Sequence, residues 1–355
     1  MRLSNARLVE RFFSIVLLFQ VVGFSYIVVR IMTSLEQVPR VLPREMTPSA
    51  TRAVDIDYDT RPPALNISKV PWLSAPMMPR VMTRTQHDDA ITLLRTFTAM
   101  LDKANITYIM CDGTLLGSYM SHDILPWDDD LDLMVRFDDL PKVKQIFKQE
   151  HIWRQFTITG YHDSGKEYDF YTLKNLPPDL EDPQYYNYVY SSGLGSNESA
   201  SLYHKFKFFQ NNGTKAGTQG WNWPFIDIKY YMENETHIWN LDTKRRIRYI
   251  ERFNFYPLHL RPFGSLWLPA PRDTRIYLIN KYGRFRCRSS IWNHQKEVRQ
   301  HSKKVRCWRL SRYYPFVWRD RLEGGVLEVL KVDSKVIQYV GVPESFSILQ
   351  RPFAL

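Results

Sequence analysis

Five aspartates fall between Asp123 and Asp132, and residues 128–135 read Asp-Asp-Asp-Leu-Asp-Leu-Met-Val. That run narrows what the chain can fold into more than any other. Carboxylates packed so densely repel one another, so a protein keeps them either for solvation or for binding cations. The apolar Leu131, Leu133, Met134 and Val135 carry the segment into a core, which argues against an exposed acidic tail. Side chains alternate along a strand, so Asp130 and Asp132 point one way while Leu131 and Leu133 point the other. Two carboxylates side by side at the end of a buried strand predict half of a divalent-metal site, and oxygen-only ligands suit Mg²⁺ or Mn²⁺. A merely acidic strand edge or turn is the alternative, and the Asp pair alone does not decide between them.

The chain's ends bear on where it works. Phe12 to Val29 is an uncharged stretch with Gln20 as its one strongly polar member. At ~1.5 Å per residue it spans about 27 Å as a helix, enough for a bilayer core. Arg2, Arg7 and Arg11 precede it, opposed by Glu10, so residues 1–11 are expected to be a cytoplasmic tail and 12–31 a signal-anchor. A cleaved signal peptide fits less well, because the apolar run is long and no clean small-x-small site follows. Residues 32–80, rich in proline and without periodicity, read as a lumenal stem, leaving 81–355 as one large domain. Five Asn-x-Ser/Thr sequons, at Asn66, Asn105, Asn197, Asn212 and Asn234, favour the secretory pathway. Asn105 stands close to apolar residues that would shield it from modification. Of three cysteines, Cys111 sits in an apolar strand, while Cys287 and Cys307 could pair in an oxidising lumen. The net charge of +11 is concentrated between Arg284 and Arg312, with ten Lys or Arg and one acid, Glu297. Such a segment suits anionic lipid, nucleotide phosphates, an acidic glycan or simply a solvated face. Nucleic acid is a poor partner for a lumenal protein.

Periodicity predicts a helix over Thr83–Asn105, a short strand over Tyr108–Cys111, a turn at Asp112-Gly113-Thr114 and a helix from Leu115. A strand over Asp130–Arg136 and a helix over Asp138–Glu150 follow. Strands are expected within Ile152–Leu173, surface loops across Tyr185–Gln219, and a strand carrying Asp227 over Trp223–Tyr231. These elements make a small mixed α/β sheet flanked by helices.

A Gly-containing turn before a helix lets backbone N–H groups approach a phosphate. Paired carboxylates hold the ions that neutralise a transferring phosphate, and a third acid completes the metal site or takes a proton. The order Gly113-Thr114, Asp130-x-Asp132, then Asp227 resembles the nucleotidyltransferase superfamily. Cys111-Asp112-Gly113-Thr114-Leu115-Leu116-Gly117-Ser118-Tyr119 followed by Asp123-Ile124-Leu125-Pro126-Trp127-Asp128-Asp129-Asp130-Leu131-Asp132 is similar, more closely, to the LicD family, which includes fukutin and fukutin-related protein. Phe225-Ile226-Asp227-Ile228, Leu268 to Asp273 and Tyr282-Gly283 extend the likeness over roughly 84–285. The resemblance implies transfer of a phospho-linked group, such as phosphocholine or ribitol phosphate, from a CDP-activated donor to a glycan, in a single-pass type II protein of the Golgi or ER. It implies Asp130, Asp132 and Asp227 as catalytic metal ligands for Mg²⁺ or Mn²⁺, with Asp227 as third ligand or base. Gly113 and Thr114, with Gly117 alongside, would bind the diphosphate. Asp128 and Asp129 take supporting roles. Family members commonly carry a basic residue soon after the Gly-Thr-Leu-Leu-Gly helix; here Met120 stands there.

Other residues invite chemistry with weaker claims. His122 beside Asp123 suits a general base or a loop tie. His294 and Glu297, a helical turn apart, suit a metal or a solvated helix. Trp221 and Trp223 suit stacking or core. A metal-dependent glycosyltransferase using a nucleotide-sugar, with the same Asp-x-Asp and stem, is an alternative, as is a non-catalytic glycan-binding member. The Asp pair directly after Gly-Thr and a helix counts against the former, and retention of all three acids against the latter.

Overall fold

A capping box starts the first long helix. Thr83 Oγ1 accepts from the Gln86 N–H at 3.2 Å while Gln86 Oε1 accepts from the Thr83 N–H at 2.9 Å, satisfying two donors that a helix start leaves orphaned. The computed structural model describes residues 69–147, 155–161, 167–169, 205–240, 249–283, 285–322 and 325–343. The expected tail, anchor and most of the stem, with Asn66 and Asn197, lie outside the described residues. Among the described residues no helix is long and apolar enough to cross a membrane.

In chain order the elements are α1 (Arg84–Lys103), β1 (Tyr108–Met110), α2 (Asp112–Ser121), β2 (Leu131–Arg136), a 3-10 turn (Phe137–Asp139) and α3 (Leu140–Phe147). Strands β3 (Phe156–Tyr161), β4 (Glu167–Asp169), β5 (Lys205–Lys215), β6 (Asn222–Glu233), β7 (His237–Asn240) and β8 (Tyr249–Glu251) follow. Then come α4 (Arg252–Phe255), the hairpin β9 (His259–Phe263) and β10 (Leu266–Ala270), and α5 (Thr274–Tyr282). Short ribbons β11 (Cys287–Arg288), β12 (Trp292–Asn293), β13 (Val298–Arg299) and β14 (Lys304–Val305) lead to α6 (Cys307–Leu310). The described chain ends in a three-stranded meander, β15 (Phe316–Leu322), β16 (Gly325–Val332) and β17 (Lys335–Pro343).

The main sheet runs β1-β2-β6-β5-β3-β4, with β7 added to β6 and β8 to β7. Its pairings are antiparallel except β2 with β6, which is parallel. The mixed α/β sheet flanked by helices is therefore present. Leu131 to Val135 are all buried rather than alternating, because a central strand is covered on both faces. Helix α1 buries Ile91, Leu94, Phe97 and Leu101, and the Phe97 ring lies 4.6 Å from Phe208 of β5 and 6.5 Å from Phe147 of α3.

Three expectations change. Asp112 to Thr114 form the first turn of α2 rather than a separate turn, with Cys111 as its N-cap. Within the expected loop region Tyr185–Gln219, residues 205–215 are a strand, since β5 is paired on both sides, by β3 and β6; residues 185–204 lie outside the described residues. His294 and Glu297 belong to no helix: they occupy the turn between β12 and β13, where Glu297 takes a left-handed φ of 51°. Asn105 is exposed, as are Asn212 and Asn234, so the shielding expected at Asn105 is absent. It sits just past the end of α1 with a φ of 52°, outside the core that its apolar neighbours enter.

Candidate functional site

Parallel pairing of β2 and β6 sets the site. Asp132 and Asp227 are direct register partners across that pair, and Asp130 immediately precedes β2. One carboxylate oxygen from each of Asp130, Asp132 and Asp227 can be chosen so that all lie within 4.8 Å of one another. Helix α2 is stitched to the same place. The Gly113 N–H donates to Asp132 Oδ2 at 3.0 Å, and the Asp132 N–H donates to Thr114 Oγ1 at 2.7 Å. A Cβ on Gly113 would stand 2.6 Å from Asp128 Oδ2 and 3.3 Å from Asp132 Oδ2, so only glycine lets the helix start approach the acids. Asp112, beside it, holds a φ of 42°, a conformation costing an L-residue about 1–2 kcal/mol. Gly113 and Thr114 thus turn toward Asp132. Gly117 makes close packing of α2 against the Asp123 carbonyl possible.

Three lysines enter among the acids. Lys229 Nζ bonds Asp132 Oδ1 at 2.7 Å and also Asp112 Oδ2. Lys281 of α5 reaches Asp112 Oδ1 at 2.9 Å. Lys207 of β5 bonds Asp227 Oδ1 at 2.7 Å and sits 3.4 Å above the Phe225 ring. Burial pushes the Asp112 carboxyl up, but Lys229 and Lys281 outweigh it and hold the group well below its ordinary value. Its neighbours go the other way. Burial, with Asp129 beside it, raises Asp128 to about 7. Burial raises Asp130 well above the carboxylate range, with Asp132 and Asp128 adding to the effect and His294 opposing it. Asp132 is raised by burial despite Lys229. The acids therefore outnumber the cations available to them, and a divalent ion on three oxygen donors would relieve the excess. That charge balance fits the residues to Mg²⁺ or Mn²⁺.

A fourth contributor arrives from far along the chain. His294 Nδ1 bonds Asp129 Oδ1 at 2.7 Å, its backbone N–H donates to Asp129 Oδ2 at 2.9 Å, and its Nε2 lies 3.4 Å from Asp130 Oδ2. Burial disfavours its charge, but Asp130 and Asp129 raise it to about 10. The Cys287–Cys307 disulfide closes the segment that carries it. Trp223 Nε1 donates to the Asp129 carbonyl at 2.6 Å, and Glu297 accepts from the indoles of Trp221 and Trp292 at 3.1 and 2.9 Å. Trp221 and Trp223 are thus buried supports.

His122 and Asp123 go separate ways. His122 Nε2 bonds Glu328 at 2.7 Å, and Asp123 Oδ1 bonds His87 Nε2 at 2.8 Å, so each is tied into the frame. Sequence reasoning missed Asp112, Lys207, Lys229 and Lys281 and set His294 aside. Lys229 was detectable, since a strand puts it on the same face as Asp227. Lys207, Lys281 and His294 had no local signal.

A family model described as "LicD/FKTN/FKRP, nucleotidyltransferase domain" matches residues 105–205 and 195–273. The chain is also 29% identical over 73 residues to the lipopolysaccharide cholinephosphotransferase LicD of Haemophilus influenzae, a match covering 21% of this chain and 28% of that protein. The chain thus spans little more than a quarter of the length of that relative.

Proposed function

The chain belongs to the LicD family, and from that premise we propose that it is a metal-dependent transferase moving a phospho-linked group from a CDP-activated donor to a glycan hydroxyl. The observation that carries this reading is the Asp132–Asp227 register pair with Asp130 beside it, placed against the start of α2. Asp130, Asp132 and Asp227 would hold Mg²⁺ or Mn²⁺, whose charge would offset that of the diphosphate. Lys207 and Lys229 hold Asp227 and Asp132 in place through buried ion pairs, and the tie to Lys207 favours Asp227 as a ligand over a base. Gly113 brings the start of α2 against Asp128 and Asp132, where the diphosphate of a donor would meet the ion, and Lys281, with 28% of its side chain exposed, is placed to meet it. A sugar hydroxyl attacks the distal phosphorus and CMP leaves. The acceptor's proton goes to a carboxylate of the cluster or to solvent.

A lumenal setting, with residues 12–31 as the anchor in a Golgi or ER membrane, is part of the proposal. The disulfide and the exposed sequons at Asn105, Asn212 and Asn234 support it, because disulfides persist in oxidising compartments. The test is incubation of the purified chain with a panel of CDP-linked donors, a glycan acceptor and Mn²⁺, scoring CMP release. Release from at least one donor, lost in Asp130→Asn/Asp132→Asn, is expected. No release from any donor, or equal release by that variant, would sink the proposal.

A further inference from the structure

Asp129, Asp130 and His294 each offer a ligand atom within 4.8 Å of one another, yet the three are not equivalent. Asp129 is already committed. Its Oδ1 takes the His294 Nδ1–H at 2.7 Å, and its Oδ2 takes the backbone N–H groups of His294 and Gln295 at 2.9 and 3.3 Å. Asp129 is 4% exposed, and its own carbonyl is fixed by Trp223. That leaves His294 Nε2 as the ring atom turned to the acids, 3.4 Å from Asp130 Oδ2. Two donors in neighbouring positions on an octahedral ion, with bonds of about 2.1 Å, stand about 3 Å apart. A small adjustment puts Nε2 and Oδ2 on one ion. A histidine whose other nitrogen donates to a buried carboxylate is the usual arrangement behind a metal-bound imidazole.

From this geometry we infer that His294 Nε2 is a nitrogen ligand to the divalent ion held by Asp130, with Asp129 as the residue that positions the ring. The inference rests on the proposed reading of the acids as a metal site, but not on which group is transferred. It has a chemical consequence. Imidazole suits transition-metal ions while Mg²⁺ keeps to oxygen, so His294 biases the site toward Mn²⁺. The ligand comes from outside the residues matched by the family model, on a segment closed by the Cys287–Cys307 disulfide.

The test uses the purified full chain with Mn²⁺ alone, without donor or acceptor. Pulsed electron paramagnetic resonance of the bound Mn²⁺ is expected to show ¹⁴N coupling that disappears in His294→Gln. Mn²⁺ affinity should fall roughly 10- to 100-fold in that variant, and Mg²⁺ affinity, followed by competition, should fall less. Asp129→Asn should weaken Mn²⁺ in the same direction while leaving His294 in the chain. No ¹⁴N coupling in the parent, unchanged Mn²⁺ affinity in His294→Gln, or equal loss of both ions would overturn the inference. A chain that binds Mn²⁺ through His294 but releases no CMP would sink the proposed reaction and leave the ligand assignment standing. An active chain whose Mn²⁺ binding ignores His294 would do the reverse.

Discussion

Among the described residues, buried charge gathers around Asp130 and around Glu328, and the two clusters are balanced in opposite ways. Glu328 of β16 is fully buried between Arg261, Arg319 and His122, with the Arg261 Nη2 bonded to both its oxygens at 2.8 Å and the Arg319 Nε to Oε1 at 2.9 Å. Burial would raise its pKa, but the two guanidiniums outweigh it and hold the carboxyl well below its ordinary value. His122 is pushed down by burial, so as a neutral ring it donates Nε2–H to Glu328. The Asp130 cluster has more acids than cations, and Asp128, Asp130 and Asp132 are all raised. Where the fold supplies the counter-charge, a buried carboxylate fastens elements together, here β9, β15, β16 and the end of α2. Where it does not, the excess carboxylate charge is what the proposed divalent ion would balance.

The sharpest way to break that contrast is to neutralise one acid in each cluster. Asp130→Asn should cut CMP release roughly a thousand-fold or more, given the several kcal/mol a metal supplies to a transferring phosphate. Its thermal midpoint should hold or rise, because like-charge repulsion is relieved. A large fall in that midpoint would show that the Asp130 cluster is a fastening too. Glu328→Gln should do the opposite. Urea unfolding is expected to show a loss of about 3–5 kcal/mol, the cost of leaving buried partners uncompensated, with the folded fraction still active. Because the folded pKa of Glu328 lies below its unfolded value, its stabilisation is present above the unfolded value and is lost as pH falls toward the folded one. The parent's stability should therefore fall more steeply on acidification than that of Glu328→Gln, and the gap between their urea midpoints should narrow as pH drops.

Smaller effects refine the comparison. The disulfide closes a loop with a sequence separation of 20, so Cys287→Ser/Cys307→Ser should cost about 3 kcal/mol. Mn²⁺ affinity should also drop, since His294 then rides on an untethered segment; stability loss with unchanged Mn²⁺ binding would separate the clamp from the site. The smallest effect concerns His87. Burial disfavours its charge, but Asp123 and Asp88 raise its pKa above the ordinary value. Its contribution, about 1 kcal/mol, is fully present below the unfolded pKa and lost as pH rises through the folded one. Thermal midpoints scanned from pH 5 to 9 should show that decline in the parent and not in His87→Gln.

Much of the frame was legible in the residues. The apolar spacing over Thr83–Asn105 marked α1 and its buried face. Tyr108 to Met110, Leu131 to Arg136 and the run through Asp227 declared themselves as strands. The β5 strand escaped because Lys205, Lys207 and Lys215 make it polar, and it holds as a strand only because two neighbours pair with it. His294 escaped for a similar reason. In sequence it belongs to a basic segment that suggests solvent, and only the β12–β13 turn brings it to Asp129.

What the sequence determined by itself is the set of acids and the backbone that holds them. The order of Gly113, Asp130 and Asp132 is local, and local order decides which side chains share a strand face and where a helix can begin without a Cβ in the way. What only the tertiary structure decided is the charge around those acids. Lys207, Lys281 and His294 come from elements separated along the chain, and electrostatic balance depends on distance in space. The parallel pairing of β2 with β6 and the disulfide-closed segment set those distances. They leave the Asp130 cluster short of positive charge, where Glu328 has enough.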